Sequence, residues 1–313
     1  MRFIKDLSDG NSISGVYYCK QKISTETKNG KPYESIILQD KTGILDGKVW
    51  EPYSPGIREY EAGDYIEVYG DVITYNNSKQ AKITKIRKAD DDEYNEADYF
   101  PVSSKNVDDM FQKILDYVDS VENVYLKKLL EEFFVNDTEL VRKFKKSSAA
   151  KTVHHGFIGG LLEHTLSVTN LCDFYSKSYP LINRDLLITA SLIHDIGKTR
   201  EISEFPENDY TDEGQFLGHI VMGCEMISEK SASIEGFPIG LKNELKHCIL
   251  AHHGEYEYGS PKKPAIIEAV ALNFADNTDA KFENIIELLN ANDSDGWLGY
   301  NKFLDSNFKK TTI

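Results

Sequence analysis

All eight histidines of this 313-residue chain fall between positions 154 and 253: His154, His155, His164, His194, His219, His247, His252 and His253. Most sit in apolar runs, GGLLEHTLSV, LLITASLIHD, FLGHIVMG and HCILAHHG. A single histidine on an apolar helix is ordinarily a hydrogen-bonded core residue. Clustering of the whole complement in one third of the chain weakens that reading. It suggests that separate helices each bring one imidazole to the same buried place, as metal sites in helical bundles do. LLITASLIHDIGK (186–198) poses the question most sharply. Burying His194 and Asp195 without partners costs several kcal/mol, so the pair either braces the core or holds a cation.

Acid comes from AIIEAVALNFADNTDAK, where Asp276 and Asp279 share one helix face. Asp279 reads equally as a surface carboxylate paired with Lys281. Lys198 either neutralises a phosphate oxygen or favours a helix C-terminal dipole, the latter contributing under about 1 kcal/mol. His154 and His155 precede GFIGG and either face a cleft or cap a helix. Spacing does not separate His252 from His253, one of which would then support the other. His247 lies on a different face and reads as structural. Mixed nitrogen and oxygen ligation suits Mn2+, Fe2+ or Co2+ better than Mg2+. A divalent cation held there lowers the pKa of a bound water toward neutrality, which is hydrolytic chemistry.

The elements that must position these residues change character near residue 100. SISGVYYCKQKI, YESIILQD, LDGKVW, DYIEVYGDVITY and KQAKITKIR are short runs rich in β-branched and aromatic residues, separated by turn signals. Five strands in this compass predict a small closed barrel of the OB type, residues 1–90. ADDDEYNEADYFP follows and is expected to be a solvated acidic linker, 91–104. From 105 to 313 the periodicity is helical. The expected fold is therefore multidomain, an N-terminal all-β OB barrel followed by an all-α helical bundle. Tyr33, Trp50 and Tyr75 are candidates for stacking on nucleic-acid bases. Core packing competes with that role, more strongly for Trp50 than for Tyr75, which lies at a probable turn. RKFKKSSAAK carries five basic residues from Arg142 to Lys151, which track phosphates or simply solvate a helix face.

Net charge is −15 but uneven: residues 1–88 hold 14 Lys+Arg against 12 Asp+Glu, and the remainder 22 against 39. A carboxylate-rich domain beside a mildly basic one is compatible with a metal site next to a polyanion-binding module. No apolar run is long enough for a membrane span. The start, MRFIKDLSDGNS, has no signal-peptide pattern. Cys19, Cys172, Cys224 and Cys248 show no CxxC spacing and read as reduced thiols of a cytoplasmic protein.

His164, then His194-Asp195, then Asp276 resemble the H…HD…D pattern of the HD-domain phosphohydrolases, a helical superfamily in which these four residues bind divalent metal. His219 and His252 match two further histidines of its two-metal subset, which implies that Asp195 bridges the cations and is catalytic; Lys198, one turn past it, is the second catalytic candidate from its position alone. His154, His155, His253 and Asp279 then fall in a supporting layer around the ligands. The barrel with GKPYESIILQDKTGILDGKVW, followed by HHGFIGGLLEHTLSV, LGHI and AHHGEYEYGSPKKP, narrows the resemblance to the YhaM family of 3′→5′ exoribonucleases, over residues 5 to 310. HD-GYP phosphodiesterases fit less well, because HHGEYEYGSP lacks the GYP signature. The resemblance implies a phosphodiester hydrolase with two Mn2+, Fe2+ and Co2+ being alternatives, acting on single-stranded RNA and extending to ssDNA. Two other readings compete: a phosphohydrolase of nucleotides or signalling nucleotides, and a non-catalytic nucleic-acid-binding scaffold with a structural metal. A complete ligand set beside Lys198 argues against the scaffold, since structural sites are closed. The sequence does not determine the oligomeric state.

Overall fold

The computed structural model describes residues 2–312 apart from 77, 152–154, 293 and 303. Two compact units divide the chain, Met1–Pro101 and Val102–Ile313.

The first unit is a closed five-stranded barrel of β1 (Ser12–Glu26), β2 (Pro32–Asp40), β3 (Gly43–Val49), β4 (Tyr65–Tyr75) and β5 (Ser78–Lys88). The strands run β1-β2-β3-β5-β4 around the barrel, all antiparallel except β3 with β5. This is the OB arrangement that the five β-branched runs predict. Alternate residues of each strand point inward, and Ile13, Tyr17, Ile36, Leu38, Ile66, Val68, Val72 and Ile86 fill the barrel. Bulges between Cys19 and Gln21 and between Tyr69 and Gly70 bend β1 and β4, the curvature that closure requires.

The segment expected to be a solvated linker is pinned to the barrel by its aromatic residues, while most of its other residues are exposed. Tyr94 stacks on Tyr65 with ring centroids 3.7 Å apart, and Tyr99 and Phe100 are buried. Asp98 pairs with Lys41 at 2.8 Å. Counting carboxylates alone overlooks the three aromatic rings set between them, which supply enough apolar area to hold the segment down.

The second unit is helical: α1 (Val107–Asp119), α2 (Val124–Phe134), α3 (Thr138–Lys146), α4 (Gly160–Ser178), α5 (Arg184–Ile193), α6 (Lys198–Glu201), α7 (Asp212–Ala232), α8 (Ile239–Ala251) and α9 (Ile267–Asn290). Side-chain caps begin many of them. Asn106, Asn123, Asp137, Asn183 and Thr211 each accept from a backbone N–H of the first turn. One core joins the helices, and α5 runs through it with every residue from Leu186 to Ile193 buried. A small two-stranded pairing, Tyr300–Asn301 with Ser306–Asn307, follows α9. Among the described residues, no helix is long and apolar enough to cross a membrane.

Candidate metal centre

Four helices and the turn after a fifth deliver the polar groups to one place. His164 stands on the core-facing side of α4, and His194 ends α5. The chain then turns through Asp195, Ile196 and Gly197 into α6. His219 lies within α7, His252 follows the end of α8, and Asp276 comes from α9. The turn has no room for a side chain at Gly197: an added Cβ would lie 2.1 Å from the carbonyl oxygen of His219. That close approach sets Asp195 against α7.

All six of these expected residues meet. His164 Nε2 is 3.4 Å from Asp195 Oδ2, 3.2 Å from Asp276 Oδ1 and 3.2 Å from His194 Nε2. His194 Nε2 is 3.4 Å from Asp195 Oδ2. On the other oxygen, Asp195 Oδ1 is 3.4 Å from His219 Nε2 and 3.6 Å from His252 Nε2. Asp195 thus divides the cluster, one oxygen facing His164, His194 and Asp276, the other facing His219 and His252.

Tautomers follow from the atoms on the far side of each ring. His194 Nδ1 donates to the carbonyl oxygen of Ser191 (2.8 Å) and His252 Nδ1 to that of Ile249 (2.7 Å). His164 Nδ1 donates to Asp279 Oδ2 (2.7 Å) and His219 Nδ1 to the Glu201 carboxylate (3.0 Å). In the neutral ring each Nε2 is then a bare acceptor. Asp195 Oδ1, His219 Nε2 and His252 Nε2 are buried without a hydrogen-bond partner. Converging acceptors with no donor are expensive in protein but are the donor set of a divalent cation. The residues present therefore fit the metal that the histidine pattern implies, and His164, His194 and Asp276 have ligand atoms within 4.8 Å of one another.

The field of the site is strongly negative. Burial opposes a charged His164, yet hydrogen bonds to Asp195, Asp276 and Asp279 hold its pKa well above the usual imidazole value. Burial works against ionising Asp195, but Lys198 and His194 hold it well below the carboxylate range. Asp279 is likewise held down, against burial, by His155 and His164. Burial lowers His252, and for His253 burial and the neighbouring His252 bring the pKa to about 3, so both rings are neutral.

The remaining expected residues divide. His155 is buried with Nε2 3.1 Å from Asp279 Oδ2, and Ser167 donates to the same carboxylate. Asp279 is thus a buried brace for His164 and not a surface partner of Lys281. His154 lies outside the described residues. His253 packs 4.2 Å from His252, ring to ring, donates from Nδ1 to the Tyr258 carbonyl oxygen, and groups with His219 and His252. His247 accepts from the Ala265 N–H through Nε2 (2.9 Å), a structural bond. Lys198 Nζ pairs with Asp195 Oδ2 at 2.7 Å on the wall of a cleft of about 360 Å³, lined also by His164, His253, Tyr258 and Asp276.

In the first unit, Tyr33 stacks on Trp50 with centroids 5.0 Å apart and planes 27° from parallel. Trp50 is 44% exposed, so the stronger expectation of core packing for it fails. Tyr75 is exposed at the end of β4. The basic run is largely neutralised: Arg142 by Glu139 and Glu204, Lys145 by Asp108 and Lys151 by Asp209. Two residues went unread in the sequence. Glu201 carries no motif signal, and Asn273, a single polar residue within the apolar run AVALNFA of α9, donates to the His252 carbonyl oxygen (2.7 Å).

Residues 161–281 match the family model described as HD domain. Similar proteins include the 3′-5′ exoribonuclease YhaM of a Geobacillus species, 36% identical over 262 residues and covering 82% of this chain and 78% of the relative. Those of Bacillus velezensis and Listeria innocua are 33% and 32% identical, covering 87% and 91% of this chain and 86% and 90% of the relatives. Among solved structures, the second OB-fold domain of replication protein A from Methanococcus maripaludis covers 28% of this chain and 94% of its own, at 21% identity and a TM-score of 0.21.

Proposed function

The chain belongs to the YhaM family, whose named members are 3′-5′ exoribonucleases, and from this premise we propose that it is a metal-dependent hydrolase removing nucleotides from the 3′ end of single-stranded RNA. The observation that carries the reading is the meeting of buried imidazole and carboxylate atoms at both oxygens of Asp195, with Oδ1, His219 Nε2 and His252 Nε2 lacking any hydrogen-bond partner. His164, His194, Asp276 and one oxygen of Asp195 hold a first divalent cation. His219, His252 and the other oxygen hold a second, with His253 beside them. Mn2+, with Fe2+ and Co2+ as alternatives, suits this mixed set better than Mg2+, because four of the five non-bridging ligands are imidazoles and Mg2+ prefers oxygen and water. When bound, such ions activate water and neutralise charge on phosphate oxygens.

The chain's own residues supply the rest. Lys198 puts a positive charge on the cleft wall, where a scissile phosphate gains a second counter-charge. Tyr258 and His253 border the opening and limit what enters. Tyr33 and Trp50 offer a stacked aromatic face to bases irrespective of their identity, and that tolerance extends the substrate range to ssDNA. All four cysteines are buried free thiols, which fits the cytoplasm.

Digestion of 5′-labelled single-stranded RNA in Mn2+, with a chelator control, tests the reading. A ladder shortening from the 3′ end with release of mononucleotides is expected, and ssDNA of the same sequence should be cut as well. Hydrolysis confined to free nucleotides or cyclic dinucleotides would overturn it.

A further inference from the structure

The four imidazoles of the centre keep their Nδ1 protons by two different means. His194 and His252 each donate to the carbonyl oxygen three residues back in their own helix, at Ser191 and Ile249. Their orientation is internal to α5 and α8. His164 and His219 instead lean on carboxylates from other segments, Asp279 of α9 and Glu201 of α6.

For His219 the reason is visible in the backbone. Gly218 has φ 73° and ψ 156°, which breaks α7 immediately before the histidine. That conformation is open to glycine and costly for other residues. It interrupts the turn through which the ring would have used its own helix, and it leaves the His219 backbone N–H without a helical acceptor. Glu201 fills both vacancies. Its Oε1 accepts from the His219 backbone N–H (3.0 Å) and from Nδ1 (3.0 Å), while Oε2 lies 3.1 Å from Nδ1. Glu201 is itself fixed: it is 8% exposed, and its carbonyl oxygen accepts from the Thr211 N–H at 2.9 Å.

We propose that Glu201 is the positioning residue for the second cation: it caps the restarted helix at His219 and holds the imidazole with Nε2 bare and facing Asp195 Oδ1. Asp279 does the same for the first cation through His164. Each ion therefore has one removable carboxylate behind one of its histidines, and the two ions can be weakened separately. The inference rests on the two-cation reading above.

Ion counting on intact protein tests it. Chelator-stripped protein is dialysed against buffered free Mn2+, and bound ions per chain are measured for wild type, E201A, E201Q, D279A, H219A and E201A/H219A, with circular dichroism and Tm as controls for folding. Wild type is expected to bind two ions. E201A should lose about 10- to 100-fold in affinity for one of them and keep the other unchanged. E201Q retains an acceptor oxygen and should fall between. In the H219A background E201A should add no further loss at the surviving site, because Glu201 acts through that histidine. D279A should weaken the other ion. Two ions held by E201A at wild-type affinity, or equal weakening of both in a folded protein, would overturn the role of Glu201. Wild-type binding of a single ion would sink the two-cation reading and Glu201's role with it.

Discussion

His164 and His194 point their Nε2 atoms at each other across 3.2 Å, although both rings already donate from Nδ1. Two neutral imidazoles in those tautomers present lone pair to lone pair. The contact is stable only if a positive charge sits with it, and Asp195 and Asp276 at 3.2–3.4 Å make the demand stronger. Without metal, a proton on His164 meets that demand, as its raised pKa indicates. A divalent ion meets it better, because it satisfies every acceptor at once.

Metal removal should therefore cost stability as well as activity. With Mn2+ at a hundredfold excess over its dissociation constant, each binding event stabilises the folded protein by about 2.7 kcal/mol. Calorimetry should show Tm falling on chelation and recovering with Mn2+, in parallel with hydrolysis. An unchanged Tm beside a fully metal-dependent activity would place the ions elsewhere.

Asp195→Ala should remove the one carboxylate shared by both halves of the centre. Transition-state charge stabilisation by metal amounts to several kcal/mol, so hydrolysis should fall by about three powers of ten or more. Strand binding, measured by fluorescence anisotropy with labelled RNA, should change little. Activity near wild type in a protein that binds RNA normally would mean the chemistry lies away from this aspartate.

What could be read from the sequence was residue type and periodicity. The β-branched runs marked all five barrel strands because that signal is local, and histidines on separate apolar helices marked where buried polar groups meet, while the choice among them came from the resemblance. Glu201 escaped because its role depends on the backbone break at Gly218, and nothing in LGHI shows that the glycine adopts φ 73°. Asp279 was legible as sharing a face with Asp276, but whether that face met solvent or His164 depended on how α9 packs on α4. Trp50 was misjudged for a similar reason. Its neighbour Val49 is the buried residue, and Trp50 lies just past the strand end, where the inside-outside alternation no longer applies.

Stability should show a histidine-linked pH dependence away from the metal. His247 accepts the Ala265 N–H, which ties the segment after His253 back to α8, and burial followed by nearby Lys262 lowers its pKa below 6.5. A group with a depressed folded pKa contributes its full stability above the unfolded value and loses it as pH falls. Wild-type Tm should therefore drop between pH 7.5 and 5.5. In His247→Gln, where the side-chain oxygen can still accept but cannot titrate, the drop should be smaller. Equal slopes by differential scanning calorimetry would remove His247 from the acid response.

The stacked pair on the barrel should govern grip and not chemistry. Trp50 and Tyr33 lie 5.0 Å apart, with Trp50 nearly half exposed, so a base can continue the stack at a cost already met by the protein's own ring pair. Base–aromatic contacts contribute about 1–3 kcal/mol each, so Trp50→Ala should weaken single-stranded RNA binding by about 5- to 150-fold. Tyr33→Ala added to it should cost less than the two separate losses summed, because each ring orients the other. No charge is removed, so the slope of affinity against salt should stay the same. Binding lost uniformly from ground state and transition state raises KM and leaves kcat alone. Steady-state constants on a long strand and on a dinucleotide decide the matter. The KM rise should be larger on the long strand, which has bases to spare for the aromatic face beyond those at the reacting phosphate. A fall in kcat on the dinucleotide would show instead that the rings help to place the scissile bond.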